Sequence, residues 1–282
     1  MPKLNKLLKN VVLSVLKSFN LITDPAKAKL GISYSVWDGE ELLEASIKSV
    51  RENADYINVV WQKKSWHGID CDENLEILLM QLKEKGLIDE IIFFEPDFNL
   101  TPQQNEVNKR NLGLKAVIKA GCSHFLMMDC DEFYDQEEFK AAKEFIYKRF
   151  ITHSACIIED YFAVNYRSTV VGKYYVPFIY RVNSKSKTDV KANTNLFCHI
   201  DATRKIAIKL FNRCWFAHNL VMHHYTGVRK NKKRKLENSS ASLNSDSINS
   251  FLNAYDENNY KEMLKDGRLV YVENKFNIPP ID

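Results

Sequence analysis

The chain is poor in the glycine signatures of the commonest nucleotide sites. Nine glycines are spread over 282 residues, and none completes G-x-G-x-x-G after a strand-like run or G-x-x-x-x-G-K-S/T. A dinucleotide fingerprint and a P-loop both need backbone N–H groups brought against a phosphate, so neither is indicated. No apolar run approaches the roughly 20 residues of a membrane span. The N-terminus also lacks the uninterrupted core and small-residue exit of a cleavable signal, so export by that route is not expected. Cys71, Cys122, Cys130, Cys156, Cys198 and Cys214 stand singly with no C-x-x-C pair. They read as reduced, buried thiols of a cytoplasmic protein. Charge of either sign is not in large excess: 40 basic against 36 acidic side chains give +4. A balance that mild gives no reason to expect nucleic acid.

Two carboxylates in a telling position are present. Phe125 to Tyr134 reads FLMMDCDEFY, an apolar run that stops at Asp129 and Asp131. Four apolar residues in a row suit a strand of a parallel sheet with both faces covered. Ligands of such sheets gather at the carboxyl ends of the strands. Two hard oxygen ligands there suit Mn2+ or Mg2+ and leave coordination positions for substrate phosphates. The alternative is a solvated acidic turn that caps the helix starting at Asp135, where Asp135 and Glu138 have capping-box spacing.

The flanking chain supports a sheet. Leu30 to Val36 predicts a strand, Gly39 to Glu52 a helix, and Tyr56 to Trp61 a second strand. Asp72 to Lys85 predicts a helix ended by Gly86, and Glu90 to Phe94 a third strand. Thr101 opens a third helix with Pro102 in its first turn and Gln104 completing a T-x-x-Q box, and Gly121 ends it. Strands alternating with helices call for a right-handed, mostly parallel α/β sheet. Ahead of it, residues 3–20 predict an amphipathic helix, with Leu4, Leu7, Leu8, Val11, Val15 and Phe19 on one face and lysines off it. That face suits either the domain or an anionic membrane surface.

Over roughly residues 30–160 these features resemble the GT-A glycosyltransferases, and among them the family-2-like bacterial enzymes of surface polysaccharide and lipopolysaccharide synthesis. The resemblance rests on the strand–helix order, on DCD after the fourth strand, and on KRNLGLKAV (Lys109 to Val117), similar to the family's Arg-Asn-x-Gly segment. It implies a GT-A nucleotide-binding sheet flanked by helices, with Asp129 and Asp131 holding the metal and Arg110 and Asn111 lining the nucleotide pocket. Ser35, at the end of the first strand, is a further candidate nucleotide contact. One departure is visible. Many members carry an acidic residue just after the second strand that helps read the nucleobase, where this chain has Gln62, Lys63, Lys64 and Ser65.

In the second half, Ala155 to Glu159 and Lys173 to Val182 read as further strands, Phe251 to Asp266 as a helix, and Leu269 to Val272 as a strand. An inverting transferase needs a carboxylate to take the acceptor proton. Asp160, Asp189 and Asp201 are available, with Asp201 favoured and Asp160 next. The stretch VMHHYTGVRKNKKRK resembles a late GT-A segment, which implies His223 or His224 as a third metal ligand and Arg229 and Lys233 on the diphosphate. Glu237 to Ser250, rich in Ser and Asn, predicts a loop or lid.

The expected organisation is an amphipathic helix and linker at 1–29 and one GT-A domain at 30–282, with a nucleotide half at 30–160 and an acceptor half and lid at 161–282. The expected activity is metal-dependent transfer of a sugar from a nucleotide-diphosphate donor to a saccharide or lipid-linked acceptor at the cytoplasmic face of a membrane. On this reading Asp131→Asn abolishes turnover without unfolding the protein. Two rivals remain. A nucleotidyltransferase would want a glycine-rich loop where Tyr34, Ser35, Val36 and Trp37 stand; a basic nucleic-acid or membrane module would use the run from Arg229 to Lys235.

Overall fold

The computed structural model describes residues 12, 14, 23–170, 175–192, 194, 198–207, 213–240, 245–254 and 257–281. The expected helix at 3–20 lies outside them except for Val12 and Ser14, both helical. Among the described residues no helix is long and apolar enough to cross a membrane.

Strands β1 (Leu30–Val36), β2 (Tyr56–Trp61), β3 (Glu90–Phe93) and β4 (His124–Met128) pair in parallel in the order β3-β2-β1-β4. Helices α1 (Glu40–Val50), α2 (Leu75–Glu84) and α3 (Pro102–Lys119) make the crossovers. The period-2 alternation of a strand explains why β4 is apolar from Phe125 on. Leu126 and Met128 enter one core with Leu43 and Ile47 of α1 and Leu79 of α2. Phe125 and Met127 enter a second with Leu114 and Val117 of α3. Both faces being covered, polar groups are welcome only where the strands stop.

Local signals set several boundaries. Thr101 and Gln104 form the reciprocal capping box of α3, with Pro102 at its first position. Asp135 caps α4 (Gln136–Arg149) by accepting from the backbone N–H groups of Glu137 and Glu138. The reciprocal half of that box is absent. One carboxylate oxygen of Glu138 is buried without a partner.

Beyond β4 the sheet turns mixed. β8 (Tyr175–Arg181) pairs antiparallel with both β4 and β6 (His153–Ala163). β7 (Tyr166–Ser168) and β10 (Leu269–Tyr271) extend that side. On the other edge of β6 lies β9 (Cys214–His224), parallel to it, and the end of β9 pairs with the two-residue β5 (Glu132–Phe133). β9 was not expected from the sequence, and it is the strand that brings the double histidine to the carboxylates. The region expected as a loop, 237–250, takes in only the last residue of α5 (Lys232–Glu237) and the first six residues of α6 (Ser245–Ala254), and the expected helix at 251–266 is instead the end of α6 followed by α7 (Glu257–Lys265).

Candidate active site

At the carboxyl ends of β1, β2 and β4 a cavity of about 440 Å³ opens, roofed by the segment that follows β9. Asp129, Cys130, Asp131 and Glu132 make its floor where β4 ends. The two carboxylates differ in setting. Asp129 keeps 33% of its side chain exposed, whereas Asp131 keeps 2%.

Each is met by cations. The Oδ2 of Asp129 lies 2.6 Å from Arg204 Nη2, and its Oδ1 lies 3.6 Å from Arg110 Nη1. Burial pushes the Asp129 carboxyl up, but Arg204 and Arg110 outweigh it and hold the group at about 2. The Oδ2 of Asp131 accepts from Arg229 Nε at 3.2 Å and from the Lys235 ammonium, and lies 2.9 Å from Arg229 Nη2. Burial raises this acid too, and Arg229, Lys235 and His224 overcome it, keeping Asp131 well below the usual carboxylate range. Both acids are therefore ionised at neutral pH.

Strand geometry sorts the two histidines. In the β5–β9 ladder His224 stands opposite Glu132 and His223 opposite Phe133, and successive residues of a strand face opposite ways. His224 lines the cavity, with Nε2 3.7 Å from Asp131 Oδ2 and Nδ1 2.9 Å from Asp160 Oδ1. A carboxylate on Nδ1 orients the ring and turns Nε2 toward the acids. His223 turns the other way, into an aromatic cluster with Tyr161 and Phe276, and its Nδ1 lies 2.8 Å from the Tyr161 hydroxyl. Burial holds its pKa near 3. His223 is thus corrected from candidate ligand to a buried packing residue.

The other expected residues divide in the same way. Ser35 and Asp201 line the cavity. Asp201 is 47% exposed, caps a short 3-10 turn through the Thr203 backbone N–H at 2.8 Å, and lies 3.8 Å from Arg204 Nε. Asp160 holds His224. Arg110 is buried against Glu106 and Asp129 at the floor. Arg229 is buried and committed to Asp131 and to Asp38 Oδ1 at 2.8 Å. Gly39, at φ +80°, makes room for this pair, because a Cβ there would collide with the Arg229 guanidinium and Cys130 Sγ. Two expectations fail on geometry. Asn111 gives both ends of its amide to the Thr188 main chain, at 3.1 and 2.8 Å, and is a tether between α3 and a loop. Lys233 is exposed and faces Glu237 at 3.7 Å, while Lys235, two residues on, reaches the site.

Sequence reasoning also missed Lys109 and Glu132. Lys109 is buried with Nζ 2.8 Å from the Val36 carbonyl and beside the Trp66 ring; burial lowers its pKa to about 7. An alternating run could not reveal them, since both are charged residues on buried faces. The basic run is largely spent on the site. Arg229 and Lys235 bind Asp131, and Arg234 lies 4.7 Å over Trp37 with a bond to the Asp70 carbonyl. Lys230 and Lys233 are its exposed members. That leaves little continuous charge for a nucleic-acid surface.

Whether a divalent cation suits these residues follows from charge and donor type. Around the cavity, Asp38, Glu106, Asp129, Asp131, Glu132, Asp160 and Asp201 face Lys109, Arg110, Arg204, Arg229 and Lys235, an excess of two negative charges with all groups ionised. Among the described residues no group of three or more acidic, histidine or cysteine side chains is gathered closely enough to hold a metal as it stands. Ammonium and guanidinium groups occupy one oxygen of each aspartate. The other oxygens, together with His224 Nε2, are O, O and N donors of the kind Mn2+ accepts. Arg204 and Arg229 are buried among several partners, and Lys235, 26% exposed, is held by Asp131 and Thr226. The donor types suit such a cation, but in this arrangement they are not gathered into a metal site.

No family model matches the sequence, and no curated protein matches it. Among solved structures, S. aureus TarS is similar over 80% of this chain and 42% of its own, at 14% identity and TM-score 0.42. The 1–349 fragment of S. aureus TarS in complex with UDP-GlcNAc is similar over 46% of this chain and 34% of its own, at 19% identity and TM-score 0.32. GalNAc-T7 with UDP, GalNAc and Mn2+ is similar over 90% of this chain and 59% of its own, at 12% identity and TM-score 0.43. The chain thus spans less than two thirds of each of these structures.

Proposed function

We propose that this protein is a metal-dependent glycosyltransferase, moving a sugar from a nucleotide-diphosphate donor to a hydroxyl of a saccharide or lipid-linked acceptor. The observation that carries the reading is the pairing of two ionised aspartates at the end of the central parallel strand with a histidine whose Nε2 faces them, in a cavity also lined by Lys109, Arg229 and Lys235. An excess of two negative charges would repel a diphosphate. A divalent cation would cancel that excess.

Asp129, Asp131 and His224 would hold the cation, with Asp160 orienting His224. Bound there, the metal supplies Lewis-acid stabilisation of the departing diphosphate. The chain's own groups do the rest. Lys109, and Lys235 once it leaves Asp131, meet the negative charge that develops on the leaving oxygen. Asp201 takes the acceptor hydroxyl's proton as that oxygen bonds the anomeric carbon and the carbon–phosphate oxygen bond breaks, its electron pair leaving with the nucleoside diphosphate. The partial exposure of Asp201 suits a base that must meet an incoming acceptor. A role in bacterial surface-glycan synthesis at the cytoplasmic membrane face is part of this proposal and rests on the resemblance of residues 30–160.

Calorimetric titration of UDP, GDP, CDP and ADP, each with and without Mn2+, tests the reading. Binding of one member that requires the metal is the expected result. If none binds in either condition, the site is a buried ion-pair network with no nucleotide function, and the proposal is wrong.

A further inference from the structure

Two side-chain oxygens in the cavity wall have no hydrogen-bond partner among the described residues: Gln62 Oε1 and Asn238 Oδ1. Both side chains are buried, at 0% and 8% exposure. Each amide is oriented by its nitrogen. Gln62 Nε2 donates to the Lys64 carbonyl at 2.8 Å, and Asn238 Nδ2 donates to the Arg234 carbonyl at 2.8 Å. A carbonyl can only accept, so the amide nitrogens must face those carbonyls and the amide oxygens stay as acceptors. A buried acceptor left unpaired is costly, and native proteins hold few of them. Two in one cavity wall mark a place where a ligand brings N–H or O–H donors.

Both oxygens belong to one side of the cavity. In the sheet order β2-β1-β4-β8 the acids end β4, Asp201 lies in the stretch between β8 and β9, and Gln62 directly follows β2. Trp37 and Trp66, from the segments after β1 and β2, line the cavity beside Gln62. Helix α5 covers this side, since its Arg234 lies over the Trp37 ring and bonds the Asp70 carbonyl, and Asn238 caps its end. A nucleotide whose diphosphate lies at the end of β4 and whose sugar faces Asp201 has its base here. The two indoles suit a planar ring, and the free acceptors select among rings. Uracil presents one N–H between two carbonyls, and a carbonyl set against either oxygen is repelled. The amine of cytosine, adenine or guanine brings two N–H donors instead. We propose that Gln62 and Asn238 read the nucleobase, and that the donor is a nucleoside-diphosphate sugar whose base carries an exocyclic amine. The inference rests on the nucleotide-donor reading above and does not depend on the metal.

The test is calorimetric binding of matched nucleoside diphosphates to the unaltered protein, with and without Mn2+: CDP against UDP, and ADP and GDP against inosine diphosphate, which lacks the amine of both. The tightest ligand is expected to carry the amine and to exceed its amine-free counterpart by about 5- to 100-fold, the loss that follows from one or two buried acceptors left unpaired. Two variants then ask whether these side chains set the preference. Gln62→Met keeps the volume and removes one oxygen, and Asn238→Ala removes the other. A side chain that only supports the fold would weaken both members of a pair alike, whereas losing a base contact is expected to bring the preference toward unity. UDP or inosine diphosphate bound within about fivefold of the best amine-bearing ligand, or more tightly, overturns the assignment of the base and leaves the donor reading standing. A preference unchanged in both folded variants overturns the roles of Gln62 and Asn238. No binding by any of the nucleotides is a separate failure: it removes the donor reading, and the base assignment with it.

Discussion

Asp131→Asn is the substitution with the most to say, because the structure changes what it should do. The sequence alone suggests a soluble metal ligand whose loss spares the fold. In the structure the side chain is 2% exposed and its Oδ2 is shared by Arg229 and Lys235. Asparagine keeps the shape and one acceptor but leaves those cations without their counter-charge. Stripping one partner from a buried pair costs about 3–5 kcal/mol. Two features reduce the loss: Arg229 keeps Asp38 at 2.8 Å, and Lys235 keeps Thr226 and is already partly in water. A destabilisation of about 3 kcal/mol is expected, at the lower end of that range. At ~2–4 °C per kcal/mol for a chain of this order of size, the melting temperature should fall by roughly 6–12 °C. Calorimetric or circular-dichroism melting reads it directly, and Mn2+ titration of the folded variant should show the cation site lost as well. A melting temperature within about 2 °C of the unaltered protein would refute the reasoning, since it would mean that the buried cations do not depend on this carboxylate.

Asp201→Asn should separate from it cleanly: the side chain is half-exposed and asparagine keeps the acceptor for the Thr203 N–H. Stability is expected to change by no more than about 0.5 kcal/mol, nucleotide binding to persist, and sugar transfer to fall by roughly 10²- to 10⁴-fold; unchanged turnover would remove Asp201 as the base. Acid should weaken the fold before it touches the carboxylates. Burial holds His124 and His223 near pKa 3 and His153 near 4, well below the ordinary histidine value. The unfolded chain therefore binds more protons than the folded one below about pH 6.5, so stability is full above that pH and lost as pH falls toward 4. At pH 5 each such histidine withdraws about 2 kcal/mol. Glu132, whose pKa burial raises, works in the opposite sense. The urea midpoint should drop clearly between pH 7 and pH 5, and equal midpoints would count against neutral burial of these rings.

Much of the first half was legible because its rules are local. The apolar runs of β1, β2 and β4, the Thr101 capping box and the acids that end β4 are set by neighbours a few residues away. The second half was less so. β9 reads poorly by alternation because it pairs with β6 over its length and with β5 only at its tip. Which histidine faces the acids depends on that register, and a one-residue shift would exchange His223 for His224.

The sequence by itself determined the α/β architecture, the position of Asp129 and Asp131 at a strand end, and the basic character of the segment after β9, since hydrophobic period, caps and charge are properties of contiguous residues. Tertiary structure decided which charges meet. Arg204 is 75 positions from Asp129 in the chain and Arg229 98 from Asp131, yet each takes one oxygen of its acid, while Asn111 and Lys233, similar in type to residues that line the cavity, are turned to other duties. The physical reason is that a buried carboxylate must find a partner wherever the fold brings one within reach, and reach is fixed by sheet register and loop path rather than by spacing in the chain.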